Sequence, residues 1–166
     1  MRSPVYCDNR VTLSYPSIRK YITNCLSEVI KNQYPNVQGI VGVATAGIPQ
    51  GALIADELNI PFAYIRSEAK KHGLKNAIEG HLETGCKVVV VEDLISTGKS
   101  SLKAVEDLRE NGFEVVGLVS IFNYGFAATH QKFMEAKCPY VSLCDFNTLA
   151  EEAAKTNYIS EEAQVK

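Results

Sequence analysis

The sequence predicts a doubly wound α/β fold, a mainly parallel sheet flanked by helices with a mobile loop over its active end. Three observations predict it. Short β-rich runs alternate with helical stretches along the chain. The run Lys87-Val-Val-Val-Val91 is apolar without interruption, which suits a parallel strand covered on both faces. The β-α-β spacing repeats, and such units form parallel sheets with right-handed crossovers. In sheets of this kind ligands bind beyond the carboxyl ends of the strands, so functional residues are sought there.

Taken in order, residues 39–44 (GIVGVA) read as a buried strand, followed by Gly47-Ile-Pro and a helix through Leu58, with Leu53, Ile54, Glu57 and Leu58 in period. Residues 61–66 (PFAYIR) form a second strand, and residues 87–91 a third that is followed at once by acids. Residues 98–111 are helical, with Leu102, Val105 and Leu108 on one face and Asn111-Gly112 as the stop. The next strand is 114–122 (EVVGLVSIF), then a helix over 127–137 and a short strand over 140–143. Asp145 is placed to cap a last helix over 146–156.

Composition narrows the function classes. The chain has 166 residues, the size of one domain, and no repeat, low-complexity tract or linker divides it, so residues 1–166 are read as one unit. With 46% hydrophobic residues it buries a sizeable core and is not disordered. Seventeen Lys+Arg against nineteen Asp+Glu leave a net charge of −2, without the basic excess of a dedicated nucleic-acid binder. No apolar run approaches the roughly 20 residues that span a bilayer, and MRSPVYCDNR lacks the apolar core of a secretory signal. The expectation is a cytoplasmic protein with no membrane or nucleic-acid partner. Cys7, Cys25, Cys86, Cys138 and Cys144 are odd in number and lack CxxC spacing. They suggest neither a disulfide framework nor a zinc site, but reduced and mostly buried thiols.

The strongest chemical signal is Val88-Val-Val-Val-Glu-Asp-Leu-Ile-Ser-Thr-Gly-Lys-Ser100. A buried strand ends in Glu92 and Asp93, a turn of Ser96, Thr97 and Gly98 follows, and a helix begins. Backbone N–H groups at a helix start form an anion site, to which the hydroxyls of Ser96, Thr97 and Ser100 add donors. Adjacent carboxyls beside a buried strand are costly unless they meet a partner, and a polyol or a divalent cation supplies one. Gly98-Lys99-Ser100 also resembles the end of a nucleoside-triphosphate loop, but that motif requires glycine at the position of Asp93. A carboxylate there repels a triphosphate, which sets that reading aside.

A second signal is basic. In Arg66-Ser-Glu-Ala-Lys-Lys-His-Gly-Leu-Lys75 four cations stand against Glu68 alone. A stretch of this length and charge, with little apolar periodicity, fits a mobile lid over an anion. His81 and His130 are read as surface or packing residues, and Tyr6, Phe62 and the Tyr15-Pro16 pair as packing residues.

The run from Glu92 to Ser100 resembles the signature of type I phosphoribosyltransferases, which bind 5-phosphoribosyl-1-diphosphate. Arg66, Ser67, Lys70, His72 and Gly73, followed by Ile78-Glu79-Gly80, resemble the catalytic loop of the orotate phosphoribosyltransferase family in particular. Ser3-Pro-Val-Tyr-Cys-Asp-Asn-Arg10, continuing to Pro16, is similar to that family's N-terminal orotate-side strand. Gly42-Val-Ala-Thr-Ala-Gly-Ile-Pro49 is similar to its diphosphate loop, and Ile121-Phe-Asn-Tyr-Gly125 to its bacterial members.

The resemblance implies transfer of a phosphoribosyl group to N1 of orotate, giving orotidine 5′-monophosphate and diphosphate, a step of de novo UMP synthesis. By position it implies a donor site made of Thr45, Ala46, Gly47, Arg66, Lys70, His72, Glu92, Asp93, Leu94, Ile95, Ser96, Thr97, Gly98, Lys99 and Ser100. Lys70, His72 and Asp93 would be catalytic, and Ser96 would approach orotate. Mg2+ would travel with the donor near Glu92 and Asp93, and the protein would work as a homodimer with shared active sites. Relative to the family the chain looks short at both ends. Where some relatives carry an Arg that meets the orotate carboxylate, this sequence has Asn123-Tyr124-Gly125. A non-catalytic phosphoribosyl-binding regulator and a phosphoribosyltransferase for another base are the alternatives.

Overall fold

A computed structural model describes residues 7–66 and 77–158. A 3-10 helix (Asn9–Ser14) leads into α1 (Pro16–Gln33), β1 (Gly39–Val43), α2 (Gly47–Leu58), β2 (Phe62–Ile65) and β3 (Ile78–Gly80). Then come β4 (Lys87–Ile95), α3 (Lys99–Glu110), β5 (Glu114–Asn123), α4 (Ala127–Glu135), β6 (Tyr140–Asp145) and α5 (Phe146–Lys155). The six strands form one sheet in the order β3-β2-β1-β4-β5-β6. All pairings are parallel except β2 with β3, which is antiparallel.

The valine run explains why the sheet is central. Side chains alternate across a strand, so Val88 and Val90 enter one core with α3 and Phe133 of α4. Val89 and Val91 enter the other with Ile22, Leu26 and Ile30 of α1 and Ile54 of α2. Helices therefore cover both faces, as the uninterrupted run predicts.

The N-terminal segment departs from expectation. Residues 9–16, expected to continue an extended strand, instead form the 3-10 helix and the start of α1. Pro16 at the first helical position and Ile22, Leu26 and Ile30 at four-residue spacing are the signals of that helix. Tyr15 is exposed at the start of α1 and does not pack, and Pro16 is exposed as well. Phe62 does pack against the α1/α2 core. β3, an antiparallel edge strand of three residues, was not expected either. Asp145 caps α5 as expected, its Oδ1 accepting from the Thr148 N–H at 2.8 Å. All five thiols are free, but only Cys86 and Cys138 are buried; Cys7, Cys25 and Cys144 are half-buried.

Among the described residues no helix is long and apolar enough to cross a membrane.

Candidate active site

The strand order reverses between β1 and β4, the two central neighbours, and such a switch point opens a crevice at the carboxyl ends. The two sequence motifs meet there. β1 ends at Val43 and leads through a turn, whose Ala44–Thr45 peptide is cis, into α2 at Gly47. β4 leads from Val91 through Glu92 and Asp93 toward the turn at Ser96.

Close backbone packing holds these two loops together. A Cβ on Gly47 would fall on the Val91 carbonyl oxygen, and one on Gly42 would lie 2.7 Å from the Gly47 carbonyl oxygen. Only glycine lets the start of α2 sit this near β4. Thr45 is exposed and Ala46 half-buried at the mouth of the crevice.

β4 is longer than expected. The acids do not follow the strand; they lie within it, because pairing with β5 continues through Glu92↔Ser120, Leu94↔Phe122 and Ile95↔Asn123. Pairing with β1 stops at Gly42↔Val91. From Glu92 onward, β4 therefore has one ladder partner, and its β1 side faces the crevice. Ile95 is a core side chain and Leu94 is half-buried.

The two carboxyls leave the strand toward different neighbours. Glu92 is 6% exposed, and its Oε1 accepts from Ser101 Oγ at 3.2 Å and Ser100 Oγ at 3.4 Å. Burial, with the neighbouring Asp93 charge second, pushes its pKa up to about 8, against the lowering effect of the serine hydroxyls. Asp93 is half-buried and joins Asn9, Arg10, Thr12, Ala46 and Gln50 around a small cleft. Burial raises its pKa too, while the N–H groups of Leu94 and Asp93 and the charge of Arg10 pull it down.

The turn leaves the start of α3 open. Gly98 holds φ +72° as the residue before α3, a conformation glycine adopts without strain. A Cβ there would also lie 2.8 Å from Phe133 Cε2. No side chain caps α3, so Ser96 and Thr97 are not simple helix caps. Thr97, Lys99 and Ser100 are exposed, and Ser96 is half-buried. The first N–H groups of the helix, with its positive dipole end, face this turn.

Arg66 follows β2 at the same end of the sheet. Its Nη2 lies 3.2 Å from Glu79 Oε1 in an ion pair, and its N–H donates to the Ala77 carbonyl at 2.9 Å. Lys70 and His72 lie outside the described residues. His81 and His130 are exposed, His81 beside Glu83 and His130 with its ring against Tyr140.

A model of the phosphoribosyl transferase domain matches residues 13–155. The chain belongs to the phosphoribosyl transferase family. A protein of Phocaeicola vulgatus named orotate phosphoribosyltransferase is 54% identical over 161 residues, which is 97% of this chain and 76% of that protein. One of the same name from Streptococcus agalactiae is 52% identical, over 96% of this chain and 77% of its own. The crystal structure of orotate phosphoribosyltransferase from Aeropyrum pernix superposes with a TM-score of 0.84 at 32% identity, covering 96% of this chain and 88% of that one. The six-stranded, mostly parallel sheet with helices on both faces is this family's fold.

Three residues of this candidate site carry no reading in the sequence. Ser101 directly follows the motif and binds Glu92. Asn9 donates to the Asp93 carbonyl and Thr129 to the Ser96 carbonyl. Asn9 lies inside a stretch that the sequence does single out, whereas Thr129 carries no local signal.

Proposed function

We propose that this chain is an orotate phosphoribosyltransferase, moving the phosphoribosyl group from 5-phosphoribosyl-1-diphosphate to N1 of orotate. The observation that carries the reading is the convergence of 45–47 and 92–100 at the reversal of strand order between β1 and β4. An uncapped helix start and the Asp93 carboxyl then stand at one crevice, with Glu92 buried beside them. The names of the relatives, more than half identical over nearly all of this chain, support orotate as the acceptor.

In this reading the turn from Ser96 to Ser100 takes the 5′-phosphate, Asp93 with Glu92 behind it faces the ribose hydroxyls, and Thr45 to Gly47 with Arg66 meets the diphosphate. The bond from ribose C1 to the diphosphate oxygen breaks, its electron pair leaving with diphosphate, while orotate N1 forms the new bond to C1. Negative charge grows on the diphosphate, where Lys70 and Arg66 stabilise it by preorganised electrostatics, and His72 supplies a proton to it. Orotate N1 attacks as the anion, so Asp93 stabilises the positive charge growing on ribose and removes no proton. Ser96 approaches orotate.

Among the described residues no cluster of three or more His, Cys, Asp or Glu is arranged to hold a metal. A half-buried Asp93 beside a buried Glu92 fits a Mg2+ that arrives on the donor's own oxygens, not one resident in a protein cage. When bound, the ion supplies positive charge at the diphosphate. The reading also carries a cytoplasmic homodimer. What supports the dimer is an apolar stripe of exposed Val11, Tyr15, Ile18 and Tyr21 along the 3-10 helix and α1.

The test is diphosphate release with a panel of bases. Orotate alone should be consumed; release with adenine or hypoxanthine in its place would refute the acceptor, and no release with any base would favour a binding regulator.

A further inference from the structure

The hydroxyl of Thr129, on α4, donates to the main-chain carbonyl of Ser96 at 2.7 Å, from 33 positions further along the chain. Thr129 is buried, 5% exposed. Its methyl carbon would lie 3.3 Å from a Cβ on Gly98, beside Phe133, so α4 forms the rear wall of the turn. Thr129 thus uses both branches: the methyl packs beneath Gly98 and the hydroxyl grips the backbone.

We propose that Thr129 is a positioning residue for the phosphate end of the site. The inference rests on the functional reading above, in which the turn takes the 5′-phosphate. The Ser96–Thr97 peptide is trans, and in a planar trans peptide the N–H points opposite to the C=O. Holding the Ser96 carbonyl against α4 therefore aims the Thr97 N–H away from α4, into the concavity ahead of α3. Without the hydroxyl the carbonyl loses its partner inside the protein and the peptide plane is free to rotate toward water, so the donor has to be re-ordered each time an anion binds. The hydroxyl contributes by preorganisation, not by touching the ligand.

Two substitutions separate positioning from packing. Thr129→Val keeps the shape and removes the donor, and Thr129→Ser keeps the donor and removes the methyl. Affinity is measured calorimetrically for ribose 5-phosphate, for 5-phosphoribosyl-1-diphosphate with magnesium chloride, and for inorganic diphosphate, with the melting temperature of each variant recorded. Thr129→Val should weaken both phosphate-bearing ribosyl ligands about tenfold, the worth of one hydrogen bond, and leave diphosphate unchanged. Thr129→Ser should bind all three within about twofold of the wild type even where its melting temperature falls. Wild-type affinity for ribose 5-phosphate in Thr129→Val overturns the proposal. So does a loss that tracks melting temperature in both variants or that extends equally to diphosphate. A wild-type chain that binds neither ribosyl ligand overturns the functional reading itself, and the proposal with it.

Discussion

Asn9 Nδ2 donates to the main-chain carbonyl of Asp93 at 2.9 Å, joining residues 84 positions apart. The other end of the same amide accepts from Cys7 Sγ at 3.1 Å, and Thr12 Oγ1 closes the turn onto the Asn9 carbonyl at 2.6 Å. The 3-10 helix is thereby fastened to the acidic pair. Because the Asp93 carbonyl is held, the Leu94 N–H on the same peptide plane is directed oppositely. That N–H is among the groups holding the Asp93 carboxyl down against burial.

Asn9→Leu keeps most of the volume and removes the donor. Leaving the Asp93 carbonyl without its partner should cost about 1–3 kcal/mol of stability, read by urea denaturation, and should raise the donor KM several-fold. Unchanged stability and KM would show that this tether does not hold the acid in place.

Glu92 sets a pH dependence in the ligand-free protein. Its carboxyl keeps a proton in the fold up to about pH 8, whereas in the unfolded chain it ionises near the ordinary glutamate value of about 4.3. Between those limits the native state binds the extra proton, so stability falls as pH rises through the window and levels off above it. Glu92→Gln, neutral at every pH, should flatten most of that slope, on the order of a few kcal/mol between pH 5 and pH 8. Parallel wild-type and variant profiles would place the titration elsewhere.

Gly47→Ala should disrupt the site more than an ordinary helix-start substitution. The new methyl would meet the Val91 carbonyl, which is backbone in a buried strand and has no room to yield. A loss of about 3 kcal/mol or more is expected, in the range of severe overpacking, together with loss of donor binding. A melting temperature within a few degrees of wild type would contradict the close approach of α2 to β4.

Lys70→Ala tests the lid reading directly. Removing a cation that acts where charge grows in the transition state should lower kcat by about 10²–10³, with a much smaller change in donor affinity. Equal losses in both would make Lys70 a ground-state contact.

The stripe of Tyr15, Ile18 and Tyr21 is expected to lie in a dimer interface. Sedimentation at micromolar concentration should give a dimer, and Tyr21→Glu should shift it to monomer by burying an unpaired charge. A monomeric wild type would refute the shared-site arrangement.

Much of the site is legible because its chemistry is contiguous. Glu92, Asp93, Ser96, Thr97 and Gly98 announce themselves by residue type in a single run, and the valines before them state by pure apolarity that both faces of β4 are covered. The helix over 16–33 shows its periodicity in Ile22, Leu26 and Ile30, yet the extended reading of the Ser3-Pro-Val-Tyr motif ran through residues 9–16 and left the helix that follows unassigned. The length of β4 was not readable, since it depends on how far β5 runs alongside it.

The sequence by itself determined the class of fold, the alternation of strands and helices from β1 onward apart from the edge strand β3, and the segment proposed to meet phosphate and ribose, because these follow from local periodicity and local chemistry. Tertiary structure alone decided that Glu92 turns to the serines of α3 while Asp93 turns to Asn9, and that Thr129 stands behind Ser96. Those relationships join residues far apart in the chain. They arise only when helices from both sides close on the sheet, remove water from the carboxyls and leave backbone carbonyls to be satisfied by whichever side chain the packing brings near.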